Sequence, residues 1–360
     1  MAVVCADLSM PNVQREIRSA LLAVILVIIV FVLASALTFF LFVRKLVVVP
    51  IQKLNNAAKS MVDNLENEEK LDIDIKTGNE IEELSHSFVQ MYDEVREYIA
   101  KLSVVTAEKE RIGAELDVAA RIQASILPCI FPPFPDRKEF EIFATMDPAK
   151  EVGGDFYDFF MLDDEHLAIV VADASGKGVP AALFMVIGKT LIKDHTGFHC
   201  DLGEVFTEVN DILCASNSEE MFITAFEAVL NIKTGELRYV NAGHETPFIC
   251  KKDGEYEPFK VNAGFVLAGM EGMNYRGGSL TLSPGDSLFQ YTDGVTEATD
   301  VEKRLYGMER LKKTLAKNRD KMPKELLAAV KADVDAFAGG APQFDDITML
   351  CLHYKGGETV

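Results

Sequence analysis

Residues 151–160, EVGGDFYDFF, decide how the rest of the chain is read. Two glycines, which let a backbone approach its neighbours closely, lead into Asp155, and an aromatic run with strong strand preference follows it. An acid at the mouth of a strand has no chemistry by itself. Its role depends on which other acids the fold brings to it.

Outward from this stretch the sequence alternates short apolar runs with turn residues. Strands are expected near 141–147, 153–161 and 167–173, then a helix from Pro180 to about Lys193 with proline in its first turn, and a second helix over 202–214. Further strands are expected near 221–231, 236–241, 247–251, 279–282 and 286–292, with explicit turns at Lys233-Thr234-Gly235 and Ser283-Pro284-Gly285. Helices near 307–317 and 323–337 precede a last strand at 346–354. Runs of antiparallel strands with helices grouped in pairs predict an α+β fold, not alternating βαβ units.

Several of these strands meet aspartate at an end. LAIVVAD ends at Asp173, SLFQYTD ends at Asp293, and QFDDITML carries Asp345 and Asp346 ahead of the last strand. Each alone fits a turn or a cap. If the four termini converge, their mutual repulsion requires protons or cations, and oxygen donors without His or Cys favour Mg²⁺ or Mn²⁺ over zinc. Two such ions serve phosphoryl transfer or hydrolysis, lowering the pKa of a water and clamping phosphate oxygens. The loop DASGKG, 173–178, contains Gly-Lys but is no Walker loop: Val171 and Gly178 occupy the positions that need Gly and Ser or Thr. Its glycines suit a sharp turn after Asp173 that turns a main-chain carbonyl toward the acids.

The N-terminal third is of another kind. Ser19–Val43 is a run of 25 uncharged residues, including LLAVILVIIVFVLASALTFFLFV. At about 1.5 Å per helical residue it spans a hydrocarbon layer of roughly 30 Å, and it is longer than a signal-peptide core. Arg15 and Arg18 before it balance Arg44 and Lys45 after it, so orientation rests on the cytosolic character of the long remainder. Residues 1–18 are then a short extracytoplasmic segment, and the stimulus comes from a partner or from a longer receptor of which this chain is a part. From Ile81 apolar residues recur in steps of three and four through Leu84, Phe88, Met91, Val95, Tyr98, Leu102 and Val105, and the frame continues to Ile126. That is a coiled-coil pattern. A shorter run of the same period, Ile51 to Leu65, lies upstream of a charged connector, Glu66–Asn79.

Two families are recognisable. VVVPIQKL around Pro50 and the helix opening NEIEELSHSF, over residues 44–98, resemble a HAMP domain, which implies a parallel homodimer relaying a membrane signal into a coiled-coil helix at 99–127. The ordered series EVGGDFYDFF, VVADASGKGVPAA, YVNAGHETP, YTDGVTEA and FDDITML resembles the SpoIIE/RsbU-like branch of the metal-dependent Ser/Thr phosphatases, with the catalytic domain over 128–360. This resemblance implies an αββα sandwich with two Mn²⁺ or Mg²⁺ ions at one end. Asp155, Asp173 and Asp293 then match the metal-binding aspartates, the carbonyl of Ala174 a main-chain ligand, and Asp345 the last ligand, with Asp346 as its alternate. Asp155 acts directly or through water. LDVAARIQASILP, Leu116–Pro128, resembles the helix that joins regulatory modules to the catalytic core. Glu245 stands where many relatives carry Asn, which leaves His244 before it with two readings, a residue that structures its loop first and a catalytic acid second. The function implied is a single-pass membrane-anchored phosphatase with its catalytic domain in the cytoplasm. Its expected substrate is phosphoserine or phosphothreonine on a STAS-type anti-sigma-factor antagonist.

Composition narrows the competing classes. The net charge of −20, without a basic block, argues against nucleic acid as a partner. Six scattered cysteines without a CxxC pair suit a reduced compartment, and His195 and His199, although four apart, have Gly197 between them. Gly-Gly-Asp also begins the GGDEF signature of diguanylate cyclases. That reading needs a further metal aspartate on an upstream strand, where this chain has its coiled coil. A non-enzymatic HAMP scaffold is the other alternative. A sensor kinase lacks both a phospho-acceptor histidine on a helix pair and nucleotide boxes.

Overall fold

The computed structural model describes residues 10–61, 71, 73–197 and 201–357. Residues 1–9 of the expected extracytoplasmic segment, residues 62–70 and 72, which include the end of the first short run and the start of the connector, and His199 lie outside them. The chain divides into two compact units, Met1–Arg111 and Ile112–Val360.

In the first unit, helix α1 (Met10–Val43) runs through a π-helical turn (Arg44–Val48) into α2 (Val49–Lys59). Pro50 lacks the N–H that an α-helical turn would use, and the widened turn sits directly before it. The apolar stretch is solvent-facing along its length, and it is the one described helix long and apolar enough to cross a membrane. Two of its hydroxyls are satisfied internally: Thr38 donates to the carbonyls of Ala34 and Ser35, and Ser19 to that of Glu16. Helix α3 (Glu80–Ile126) begins with a two-way cap. Asn79 Oδ1 accepts from the Ile81 N–H at 3.1 Å, while the Glu82 carboxylate accepts from the N–H groups of Thr77 and Gly78 at 3.0 and 2.7 Å. Ser85 and Tyr92, one heptad apart, are its buried positions in this unit, whereas Leu84, Met91, Tyr98, Leu102 and Val105 of the predicted seam stay exposed.

The second unit is built on two five-stranded antiparallel sheets. One is ordered β1 (Phe140–Asp147), β10 (Ile347–Tyr354), β9 (Ser287–Tyr291), β6 (Phe248–Cys250), β7 (Tyr256–Pro258). The other is ordered β2 (Asp155–Met161), β3 (His166–Ala174), β4 (Ile223–Asn231), β5 (Glu236–Ala242), β8 (Gly278–Thr281). Helices α4 (Val179–Thr196) and α5 (Leu202–Cys214) cover the second sheet, and α7 (Met308–Lys317) and α8 (Pro323–Ala338) cover the first. The layers are therefore helix, sheet, sheet, helix. Strands β2, β3 and β4 are almost continuously buried because each is covered on both faces. The predicted strands and helices all form, with ends shifted by a few residues. The two elements absent from the expectation are the three-residue β7 and the single turn α6 (Asp293–Thr296), too short to carry a periodic signal.

One buried ion pair ties a helix layer to its sheet. Lys189 on α4 donates to Asp158 on β2 at 2.6 Å, with both side chains nearly enclosed and Lys193 at 3.6 Å from the same carboxylate. A charge pair so placed fixes which face of α4 meets the sheet, since either partner alone would be a buried unpaired charge.

Candidate metal centre

The acids named from the sequence come together at one end of the strand layers. Asp155 opens β2 directly opposite Asp173 on β3, so the hairpin register itself makes them neighbours. Asp293 begins α6, one residue after Thr292 leaves β9's end, and Asp345 and Asp346 precede β10. Close backbone approach holds these segments together. The carbonyl oxygen of Ala174 lies 2.5 Å from where a Cβ on Gly154 would stand, and the Ala174 N–H donates to the Gly154 carbonyl at 3.2 Å. A Cβ on Gly294 would overlap the Asp346 carbonyl oxygen, which explains why Gly follows Asp293.

The two adjacent acids at 345 and 346 do different work. Asp346 is buried and its carboxylate accepts from three backbone N–H groups: Ala149 and Gly154 at 2.7 Å each, and Asp155 at 3.4 Å. It thereby pins the loop that delivers Asp155. Asp345 is half-buried, takes the N–H of Asp346 on one oxygen at 3.0 Å, and meets the ammonium of Lys177 on the other at 3.0 Å. Thr292 donates to Asp155 Oδ2 at 2.7 Å, and its hydroxyl also accepts from the Thr348 N–H, locking β9 to β10 beside the acids.

Electrostatics confirm that the carboxylates sense one another. Burial first, and then the charge of Asp173, push the Asp155 carboxyl well above the usual range. Burial together with Asp293 and Asp345 raises Asp173 to about 7. Burial together with Asp345, Glu297 and Glu245 raises Asp293 to about 6. Such a group of oxygen donors, destabilised as anions by desolvation and by each other, is chemically suited to hard divalent cations. Among the described residues no three such side chains are closed into a ready coordination shell.

Sequence reasoning missed several supporting residues. Gln123, in the last turn of α3, donates from Nε2 to the Gly153 carbonyl at 2.6 Å and accepts the Gly153 N–H on Oε1 at 3.1 Å, so a helix end grips the loop before Asp155. Its placement in the LDVAARIQASILP segment was the available signal. Asn241 clamps the N–H and carbonyl of His244, and His244 Nδ1 pairs with Thr224, which sits opposite Asp173 on β4. Burial drives the His244 imidazole down to about 3, so it is neutral and shapes its loop. Glu245 and Glu297 form an outer pair of acids felt by Asp293.

Comparison with known proteins agrees with this architecture. Residues 163–355 match the Stage II sporulation protein E (SpoIIE) family, and residues 42–97 match the HAMP domain. The chain is 32% identical over 336 residues to Protein IcfG of Synechocystis sp., covering 85% of this chain and 51% of that protein. It is also 32% identical over 192 residues to the phosphoserine phosphatase RsbU of Bacillus subtilis, covering 52% and 55%. The chain thus spans about half the length of the curated relatives it matches. Among solved structures, the PP2C domain of SiaA from Pseudomonas aeruginosa superposes with a TM-score of 0.60 at 25% identity, covering 69% of this chain and 99% of that one. The PP2C domain of SpoIIE from Bacillus subtilis, with a TM-score of 0.52 and 19% identity over 59% and 63% of the two chains, shares the fold.

Proposed function

The chain belongs to the SpoIIE family, and from that premise we propose that it is a membrane-anchored, metal-dependent phosphatase acting on phosphoserine or phosphothreonine of a STAS-type protein. The observation that carries the reading is the pairing of Asp155 with Asp173 across β2 and β3, with Asp293 and Asp345 close enough to raise the same carboxyl groups. Asp155, Asp173, Asp293, Asp345 and the carbonyl of Ala174 would hold two Mn²⁺ or Mg²⁺ ions. Those ions supply Lewis acidity toward phosphoryl oxygens and a hydrolytic nucleophile near neutral pH. The chain's own part is to fix the acids. Thr292 orients Asp155, Asp346 anchors the loop on which Asp155 rides, and burial removes competing water from the inner carboxylates.

The helix long enough to span a bilayer and the HAMP match support a single-pass protein with its catalytic unit in the cytoplasm. The exposed seam from Leu84 to Val105 supports a parallel homodimer through α3, since such a stripe is left for a partner helix.

The test compares the two neighbouring acids. Asp345→Ala is expected to abolish Mn²⁺-dependent phosphate release from a phosphorylated STAS protein while leaving the melting temperature nearly unchanged. Asp346→Ala is expected to lower stability by about 1–3 kcal/mol, because buried backbone donors lose their acceptor. Full turnover by Asp345→Ala with added Mn²⁺ would remove that residue from the centre.

A further inference from the structure

The loop DASGKG places one cation among the acids that the phosphatase reading does not use. Lys177 Nζ lies 3.0 Å from Asp345 Oδ2, also donates to the Phe344 carbonyl, and sits 3.7 Å above the centroid of the Phe344 ring. Among the described residues no other Lys, Arg or His makes an ion pair with Asp155, Asp173, Asp293, Asp345 or Asp346. The backbone on either side is anchored. Ser175 exchanges hydrogen bonds with Phe222, its N–H to that carbonyl and its hydroxyl receiving that N–H, and the Gly178 carbonyl accepts from Ala182 in the first turn of α4. Gly176 and Gly178 bracket Lys177 with φ of +88° and +80°, and no heavy atom lies within 3.9 Å of a Cβ added at either. These glycines are required by backbone conformation, not by crowding. Its side chain is 29% exposed.

We propose that Lys177 is an internal counter-cation of Asp345 that a divalent ion must displace before the centre is complete. The inference rests on the metal-centre reading given above. An ammonium beside Asp345 offsets part of the carboxylate repulsion before any ion binds. It opposes the second positive charge that the same carboxylate would receive, since two cations cannot share one half-buried oxygen pair without mutual repulsion. A partly exposed lysine can swing away, releasing Phe344, which is itself 64% exposed. Loading of the centre is thereby set by competition between a tethered cation and a free one, which weakens the apparent affinity for the ion and makes it sensitive to salt.

The experiment is Mn²⁺ titration of the full chain in detergent micelles, followed by calorimetry and by the electron-spin signal of free Mn²⁺. Lys177→Met is expected to bind one Mn²⁺ roughly tenfold more tightly than the wild-type chain at low ionic strength, the gain shrinking as salt is added. Lys177→Arg, which keeps the charge, is expected to stay within about twofold of wild type, and Asp345→Asn is expected to erase the gain in the Lys177→Met background. Unchanged or weaker Mn²⁺ binding in Lys177→Met, with wild-type binding intact, overturns this inference alone. Absence of Mn²⁺ binding by the wild-type chain overturns it together with the metal centre.

Discussion

Glu227 lies in the middle of β4, paired with Val170 on one side and Val240 on the other, and it is fully enclosed. Thr196, at the end of α4, donates to its Oε1 at 2.6 Å, while Oε2 has no hydrogen-bond partner among the described residues. Burial pushes this carboxyl from 4.5 to about 8, so the folded chain carries it protonated at neutral pH. Between those two values the folded state holds a proton that the unfolded state has released, so stability is fully present below about pH 4.5 and declines until the pH passes about 8. At about 1.4 kcal/mol per pH unit, the loss at pH 7 is roughly 3 kcal/mol. Glu227→Gln keeps the acceptor for Thr196 and cannot ionise, so it is expected to be more stable than wild type by about that amount at pH 7 and nearly equal near pH 4.5. Pulse proteolysis of the full chain in urea, in steps from pH 4.5 to 8.5, gives both curves. Parallel pH profiles for the two proteins would refute the claim that Glu227 stays protonated in the fold.

Gln123→Ala leaves the Gly153 carbonyl and N–H without their side-chain partner, and faster amide exchange over residues 149–155 is expected, with Mn²⁺-dependent turnover reduced several-fold and the midpoint for Mn²⁺ raised. Unaltered exchange in that loop would show that the helix end does not hold it. Insertions of one to four residues near Glu108, inside the continuous helix α3, should make phosphatase activity rise and fall with helical phase, about 100° per residue. A flat response counts against a rigid relay along the helix.

The strand layers were legible because their chemistry is local. Apolar runs such as LAIVVAD and SLFQY end at turn residues, and the same runs fill the buried strands β3 and β9. The acids were legible as strand-end residues, and the β2–β3 register placed two of them face to face. What sequence left open at Asp345 and Asp346 is a question about partners. Both are acids with the same neighbours along the chain, and only the fold shows that Ala149, Gly154 and Asp155 direct their N–H groups at Asp346. Lys177 escaped for the same reason: it was weighed as a phosphate-loop lysine, whereas its charge answers to Asp345, which no local pattern connects with it.

These long-range contacts form one connected path. Gln123 holds both polar atoms of Gly153, and the next N–H, that of Gly154, is held by Asp346. The Gly154 carbonyl receives the N–H of Ala174, and Asp155 follows Gly154 in the chain. Gly153 tolerates no Cβ because the Asp346 carboxylate fills that space, and Gly154 tolerates none because of the Ala174 carbonyl. The paired glycines of EVGGDFYDFF are therefore the crossing point between the end of α3 and the carboxylate cluster. A loop so tightly held on two sides cannot shift at one contact without moving the other. The position of Asp155 is consequently tied to the seating of the last turn of α3, and a side chain at 153 or 154 would separate the two.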